Sequence, residues 1–398
     1  MSILKHSKMH TLGFESNYLR NHGAEYISGE IVAQPQLWLK IYKQITRDKN
    51  NISSFLDEAL PEVSRIILTG AGTSAFIGLS LHGVFTRSLK VHTDSVATTD
   101  LVSHPNDYFF DDEVIMLVSF ARSGDSPEST AVVALADKLC KKCYHLMITC
   151  DPDGQLAKYT SDSLKHIILL PPEANDLSLA MTGSYSGMLL CGHLIARLKD
   201  IESLAPQIDF LYQYGSKIID KYASALKEIA SLDFERVVFL GSGPLFGTAT
   251  ESHLKLQELT DGNIICKNDS YLGFRHGPKA VTNEKTIMVF IFSNNSYAQQ
   301  YEKDLVGSMR KGKKPLFTIS ISESPVKGLC FDLEINLSDS GNHLDEGLLT
   351  VCDILPAQLL GLFKSLAFGL KPDAPSESGA ISRVVQNVNI YPYLSILI

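Results

Sequence analysis

The chain of 398 residues lacks an excess of basic side chains, with 36 Lys and Arg against 44 Asp and Glu and a formal net charge of −8. Phosphate backbones and anionic membrane surfaces demand a basic face, so neither a nucleic acid nor a membrane is expected as a partner. Any anionic ligand has to be held by a local cradle. Residues 1–21 lack the apolar segment of a signal peptide, and the most apolar helical run, Ile354 to Leu370, is interrupted by Pro356 and Lys364. The seven cysteines are odd in number and scattered, which argues against a disulfide framework and for reduced thiols in a cytoplasm. The single C-x-x-C pair, Cys140 and Cys143, has no second pair to complete a zinc site. It lies where a helix gives way to the apolar run Leu146-Met147-Ile148, so a structural role is expected.

What is present is an ordinary globular composition, 44% hydrophobic and 20% charged, with length enough for two domains. A polar, helix-prone leader over residues 1–55 carries the apolar series Leu37, Leu39, Ile41, Ile45 and is expected to pack across the first domain. From Ser64, short apolar runs alternate with amphipathic stretches: Ile66-Ile67-Leu68, a helix from Ser74, Lys90-Val91-His92, Val114 to Val118, another helix, Leu146-Met147-Ile148, and Ile167 to Leu170. Runs of this kind predict strands buried on both faces of a parallel sheet. The order then returns. Arg236 to Gly243 echoes Arg65 to Gly72, and Thr286 to Ser293 echoes Val114 to Ser119, with Pro315 to Ile319 and Leu333 to Leu337 completing the set. Similarity at domain length implies duplication. The expected fold class is α/β, with two tandem doubly wound parallel-sheet domains at 56–205 and 206–372, the leader before them and a tail over 373–398.

Ligand signals lie where strands give way to helices, at the switch-point crevice of such sheets. Gly70-Ala71-Gly72-Thr73-Ser74-Ala75 fits a loose dinucleotide fingerprint, with Asp94 at about the right ~20-residue offset. The next loop, Ser119-Phe120-Ala121-Arg122-Ser123-Gly124-Asp125-Ser126-Pro127, sets hydroxyls, Gly and Pro before a helix. Hydroxyls and free N–H groups at a helix N-terminus cradle a phosphate without net positive charge, although Ser123 and Ser126 also suit plain N-capping. A dinucleotide site would not need the second hydroxyl loop. Farther on, Glu251, Lys255 and Glu258 fall on one helix face, and His276 follows in Phe274-Arg275-His276-Gly277-Pro278. Carboxylate and imidazole together form an acid/base set suited to moving a proton between adjacent sugar carbons. The alternative for Glu251 and Lys255 is an ordinary helix ion pair.

These loops, their duplicated setting and the Glu251 to Pro278 segment resemble the sugar isomerase (SIS) fold of the isomerase half of glucosamine-6-phosphate synthase. Gln34-Pro35-Gln36-Leu37-Trp38, Arg122 to Ser129, Phe274 to Pro278 and Arg383-Val384-Val385-Gln386 resemble the AgaS family more closely, over nearly the whole chain. To that family belong galactosamine-6-phosphate deaminase/isomerase and, in an earlier assignment, tagatose-6-phosphate ketose/aldose isomerase. The resemblance implies a sugar phosphate held by Gly72, Thr73, Ser74, Ser123 and Ser126, with Arg122 where the synthase has an amide and Ala121 replacing a hydroxyl. It implies Glu258 as the base between C1 and C2, and His276 as the ring-opening histidine, donated by the neighbouring subunit of a homodimer. Glu251 and Lys255 fall on supporting positions, Thr182 near a substrate-binding hydroxyl, and Arg383 near a C-terminal lysine of the synthase that has no clear match here.

The activity so implied converts an amino-hexose 6-phosphate, D-galactosamine 6-phosphate first, to a ketose 6-phosphate and ammonia, with no metal or redox cofactor. A plain aldose–ketose isomerase would use the same base without ammonia release. A non-catalytic sugar-phosphate sensor should have lost the base or the His, and the chain carries no helix-turn-helix or basic segment of a regulator.

Overall fold

Continuous apolar runs become the inner strands of two sheets. The computed structural model describes residues 10–393 apart from 310, 386 and 387, so Gln386 of the C-terminal motif lies outside the described residues. In the first half, Arg65–Thr69 (β1), His92–Ser95 (β2), Val114–Ala121 (β3), Lys142–Thr149 (β4) and Lys165–Leu169 (β5) pair in parallel in the order β2-β1-β3-β4-β5. Ile66, Leu68, Met116, Val118, Leu146 and Ile148 are wholly buried or nearly so, as strands covered by helices on both faces require. In the second half, Arg236–Leu240 (β6), Ile265–Asp269 (β7), Thr286–Ile291 (β8), Phe317–Ser322 (β9) and Leu333–Asn336 (β10) repeat that order as β7-β6-β8-β9-β10. The shared order is the doubly wound one whose crevice opens beside the first strand. One strand starts later than its apolar pattern suggests: Lys90 takes a left-handed backbone (φ 61°) to end the preceding helix, so β2 begins at His92.

Seven helices matter for the site: Glu25–Arg47 (α1), Lys49–Ala59 (α2), Thr73–Leu89 (α3), Pro127–Leu139 (α4), Gly183–Ala196 (α5), Leu245–Leu259 (α6) and Leu355–Ala367 (α7). The leader does more than cover the first domain, because α1 is bolted to both halves. The Trp38 indole N–H donates to Ser186 Oγ on α5 (3.0 Å), whose hydroxyl donates to Gln34 Oε1 (2.7 Å), and Gln34 Nε2 donates to Gln358 Oε1 on α7 (2.6 Å). Pro35 lies inside α1 and cannot bond the Ile31 carbonyl, which Gln34 Nε2 reaches instead at 3.4 Å. This buried chain of side-chain bonds fixes the leader's register, with Gln358 Nε2 left unpaired at its end. The 346–367 stretch is long and apolar enough to cross a membrane, but 94% of its 18-residue window is buried in the fold, where it serves as core.

The two halves meet where α6 crosses α3. Gly247 allows the approach: a Cβ there would lie 2.2 Å from Ser80 Oγ and 2.8 Å from both Ser80 N and Phe76 O. The Ser80 hydroxyl also donates to the Pro244 carbonyl at 2.8 Å. One turn beyond Gly247, Glu251 arrives at the start of α3. Gly247→Ala should therefore cost about 1–3 kcal/mol by forcing backbone apart. Urea unfolding of the purified variant checks this, and unchanged stability would show that the crossing can relax freely.

Candidate active site

Both hydroxyl-rich loops and the α6 carboxylate open into one cleft of about 580 Å³ at the C-terminal ends of β1 and β3. Gly72 has a φ of 56° and caps α3 without a side chain, so the chain turns sharply and exposes the helix N-terminus. Thr73 and Ser74 follow on its first turn, both nearly buried. On the neighbouring strand, Ser126 occupies the N-cap of α4, yet its hydroxyl makes no cap bond and lies 2.6 Å from Ser129 Oγ. Its hydroxyl is thus not consumed in plain N-capping. Ser123 Oγ accepts from the Asp125 N–H at 3.3 Å within a turn whose Gly124 has a φ of 71°. Gly72, Thr73, Ser74, Arg122, Ser123, Ser126, Lys255, Glu258 and Arg383 all line this cleft, and Ser129, Leu179 and Met181 join them.

The acid/base face of α6 is a buried row rather than a solvated one. Lys255 Nζ donates to Glu258 Oε2 at 2.5 Å and lies 3.4 Å from Glu251 Oε1, and the Thr73 hydroxyl donates to that same Glu251 oxygen at 3.3 Å. Glu251 and Lys255 are sealed from solvent, while the Glu258 side chain keeps 23% of its surface open. Burial pushes the Glu251 carboxyl up to about 8, against the pull of Lys255, and its second oxygen has no partner. Burial pulls the Lys255 ammonium down, but Glu251 and Glu258 outweigh it and leave its pKa above the ordinary value. One ammonium between two carboxylates thus leaves Glu251 holding its proton near neutrality. Glu258, bonded to the ammonium and open to the cleft, is the carboxylate placed to act on a ligand.

Three expected site residues sit differently. Thr182 is wholly buried and does not line the cleft; its hydroxyl and amide, with the amides of Gly183 and Ser184 and the Ser184 hydroxyl, converge on the Asp176 carboxylate. That cluster caps α5. Arg122 is at the cleft, but its guanidinium donates to backbone carbonyls: Ser178 O (3.2 Å), Leu179 O (3.0 Å) and Arg383 O. Arg383 in turn donates to Asn175 Oδ1 (2.7 Å) and Asp176 O (2.6 Å). His276 is exposed and does not line this chain's own cleft. It follows the short helix Tyr271–Phe274, whose Tyr271 and Phe274 are buried, the former 5.5 Å from the Phe292 ring. The segment is anchored by aromatics while the imidazole stands in solvent.

Two alternative chemistries find their groups already engaged. Asp94, the acid of the loose dinucleotide fingerprint, faces His92 Nε2 (3.1 Å) and Arg65 (3.6 Å). Among the described residues, Asp137, Cys143 and His145 form a trio of metal-ligand type. Asp137 there accepts from His145 Nε2, Ser161 and Ser163 (2.7 Å each) and Tyr159 (3.2 Å), which fills its lone pairs. Burial also pushes the Cys143 and Cys140 thiols up, the latter to about 11, so the C-x-x-C pair behaves as core.

The SIS domain family model matches residues 59–198. A D-galactosamine-6-phosphate deaminase AgaS of Shewanella sp. (strain ANA-3) is 36% identical over 402 residues, covering 99% of this chain and 98% of its own length. The Escherichia coli D-galactosamine-6-phosphate deaminase AgaS is 36% identical over 378 residues, 92% of this chain and 95% of its own. The chain belongs to the AgaS family. A crystal structure of an Escherichia coli tagatose-6-phosphate ketose/aldose isomerase superposes with a TM-score of 0.83 at 32% identity, covering 92% of this chain and 96% of that one. The two sheets and the leader of this AgaS-family chain are thus shared across nearly its full length.

The raised Glu251 carboxyl has a consequence for stability. Its ordinary value is 4.5, so between there and about 8 the folded chain holds a proton that the unfolded chain has lost. The Glu251 contribution to stability falls as pH rises through that window, by up to about 1.4 kcal/mol per pH unit. Glu251→Gln removes this slope. Urea unfolding at pH 6 and pH 8 should show the wild type losing ground to the variant as pH rises, and parallel pH profiles would mean that Glu251 is ionised throughout.

Proposed function

We propose that the chain is a phosphosugar deaminase/isomerase that converts an amino-hexose 6-phosphate, D-galactosamine 6-phosphate first, to a ketose 6-phosphate and ammonia. The observation that carries this reading is the convergence of two hydroxyl-bearing helix N-termini and one cleft-facing carboxylate on a single crevice. The names of the relatives point the same way. The phosphate sits at Gly72, Thr73, Ser74, Ser123 and Ser126, on backbone N–H groups and hydroxyls at the starts of α3 and α4. With the sugar open, Glu258 removes the C2 proton of the amino-aldose while the C1 oxygen gains one, giving an enolamine. Returning the proton to C1 leaves a ketiminium at C2. Water adds there, and the C–N bond breaks to release ammonia. Lys255 keeps Glu258 oriented, and Glu251, holding its own proton, leaves Lys255 free to serve Glu258.

His276 opens the ring, and it does so from a second copy of the chain in a homodimer. Its exposure, and the open apolar side chains of Leu272 (48% exposed) in the Tyr271–Phe274 helix and Ile265 (65% exposed) on the edge strand β7, favour that arrangement. The seven free cysteines support a reducing, cytoplasmic setting.

An ammonia-release assay with galactosamine 6-phosphate, glucosamine 6-phosphate and tagatose 6-phosphate tests the activity. Ammonia from the first substrate is expected. Interconversion of tagatose 6-phosphate with its aldose, without ammonia from either aminosugar, would make the chain a plain isomerase, as the name of its crystallographic relative has it. For the shared site, Glu258→Gln and His276→Asn are each expected to be inactive on the ring-closed substrate. Mixing them under subunit exchange should restore activity at the one site that keeps both groups, and proven exchange without recovery would sink the shared-site assignment.

A further inference from the structure

The tail forms one wall of the cleft, and the way it is held gives Arg122 a different task from its loop neighbours. Residues 379–385 line the side facing Thr73 and Ser123. They belong to no helix or strand, and Ile381 and Val385 are exposed, so burial of their own side chains contributes little to their position. Two guanidinium groups hold them instead. Arg122, itself 6% exposed, reaches Arg383 O from one side, and Arg383 reaches Asn175 Oδ1 and Asp176 O from the other. Both grips meet the same loop, because Arg122 also holds the carbonyls of Ser178 and Leu179. That loop is rigid: the Glu30 carboxylate of α1 accepts from the amides of Leu177 (2.6 Å) and Ser178 (3.2 Å), and the Leu179 amide donates to Asp373 O (2.9 Å). Every acceptor used by the two arginines is a carbonyl or an amide oxygen, so neither is neutralised by a carboxylate bonded to it.

We propose that Arg122 is a positioning residue that clamps the 379–385 strap to the 175–179 loop and so completes the cleft wall, rather than a ligand of the phosphate. The inference rests on the reading of the cleft as the sugar-phosphate site. A planar guanidinium suits this task because it reaches three carbonyls on two segments at once, which a lysine ammonium of different shape does not reproduce. Substrate then meets a wall built by Arg122 while Ser123 and Ser126, one and four residues on, face the phosphate themselves.

Trypsin cleavage after Arg383, followed by mass spectrometry on the full-length protein, reads the clamp directly. Arg122→Lys and Arg122→Gln should each speed that cut at least tenfold over wild type, with cleavage at sites outside the tail unchanged, and should raise KM for the sugar phosphate more than they lower kcat. Asn175→Ala, which removes one of the acceptors of Arg383 and leaves Arg122 in place, should speed the cut severalfold and keeps the test open if the Arg122 variants do not fold. Wild-type cleavage rates in the folded variants would overturn the proposal. So would loss of inorganic phosphate binding by calorimetry in Arg122→Lys with the strap still protected, because Arg122 would then be a phosphate ligand. Faster cleavage in the variants, with no binding of inorganic phosphate or sugar phosphate even to wild type, would uphold the clamp and remove the sugar-phosphate reading instead.

Discussion

The close crossing of α3 and α6 at Ser80 and Gly247 is the contact on which the site depends. Each helix belongs to a different half of the chain. The N-terminus of α3 brings Thr73 and Ser74 to the cleft, and α6 brings Lys255 and Glu258 to it, the groups to which the proposed function gives phosphate binding and proton transfer. Because the crossing admits no side chain at Gly247, the helices are near enough for Thr73 to bond Glu251 and for Glu258 to reach the same cleft. A separation larger by a methyl group would move the base away from the cradle. The leader reinforces the arrangement through Gln34, Trp38, Ser186 and Gln358, which tie α1 to a helix of each half.

Duplication repeats the strand order, but groups near the corresponding strand ends of the second half bond within the chain. In the second half the Ser293 amide donates to Glu302 Oε2 (3.0 Å), the Tyr297 amide to Asn295 Oδ1 (2.9 Å), and Ser242 Oγ accepts from the Tyr271 amide (3.2 Å). These amides and the Ser242 hydroxyl oxygen are thereby engaged internally, with the Glu302 carboxylate on the Ser293 amide. In the proposed function the two halves divide the work: the first presents the hydroxyl loops, the second presents the Glu258 helix and the exposed His276 segment.

The fold was readable from the sequence because apolar runs and strand-to-helix turns are local signals. So was the α6 row, since helical spacing alone puts Glu251, Lys255 and Glu258 on one face. The remaining differences come from partners distant in sequence. Thr182 reads as a free hydroxyl until Asp176 folds onto it, and the carbonyl acceptors of Arg122 lie 56, 57 and 261 residues away, where its own loop gives no sign of them. Gly247 carried no signal at all, since a glycine in a helix reveals its purpose only when the second helix is in place. The strap could be placed near the site by resemblance, but the pair of guanidinium grips that holds it required the structure.

The central claim is that a single carboxylate, Glu258, carries the proton between adjacent carbons of the sugar. Turnover of galactosamine 6-phosphate in D2O, with the product examined by NMR, tests it most directly. Wild type should place solvent deuterium at C1 of the ketose phosphate, whereas Glu258→Gln should bind the sugar phosphate yet exchange no proton at C2 and form no product. Deuterium exchange at the wild-type rate in Glu258→Gln would contradict that claim.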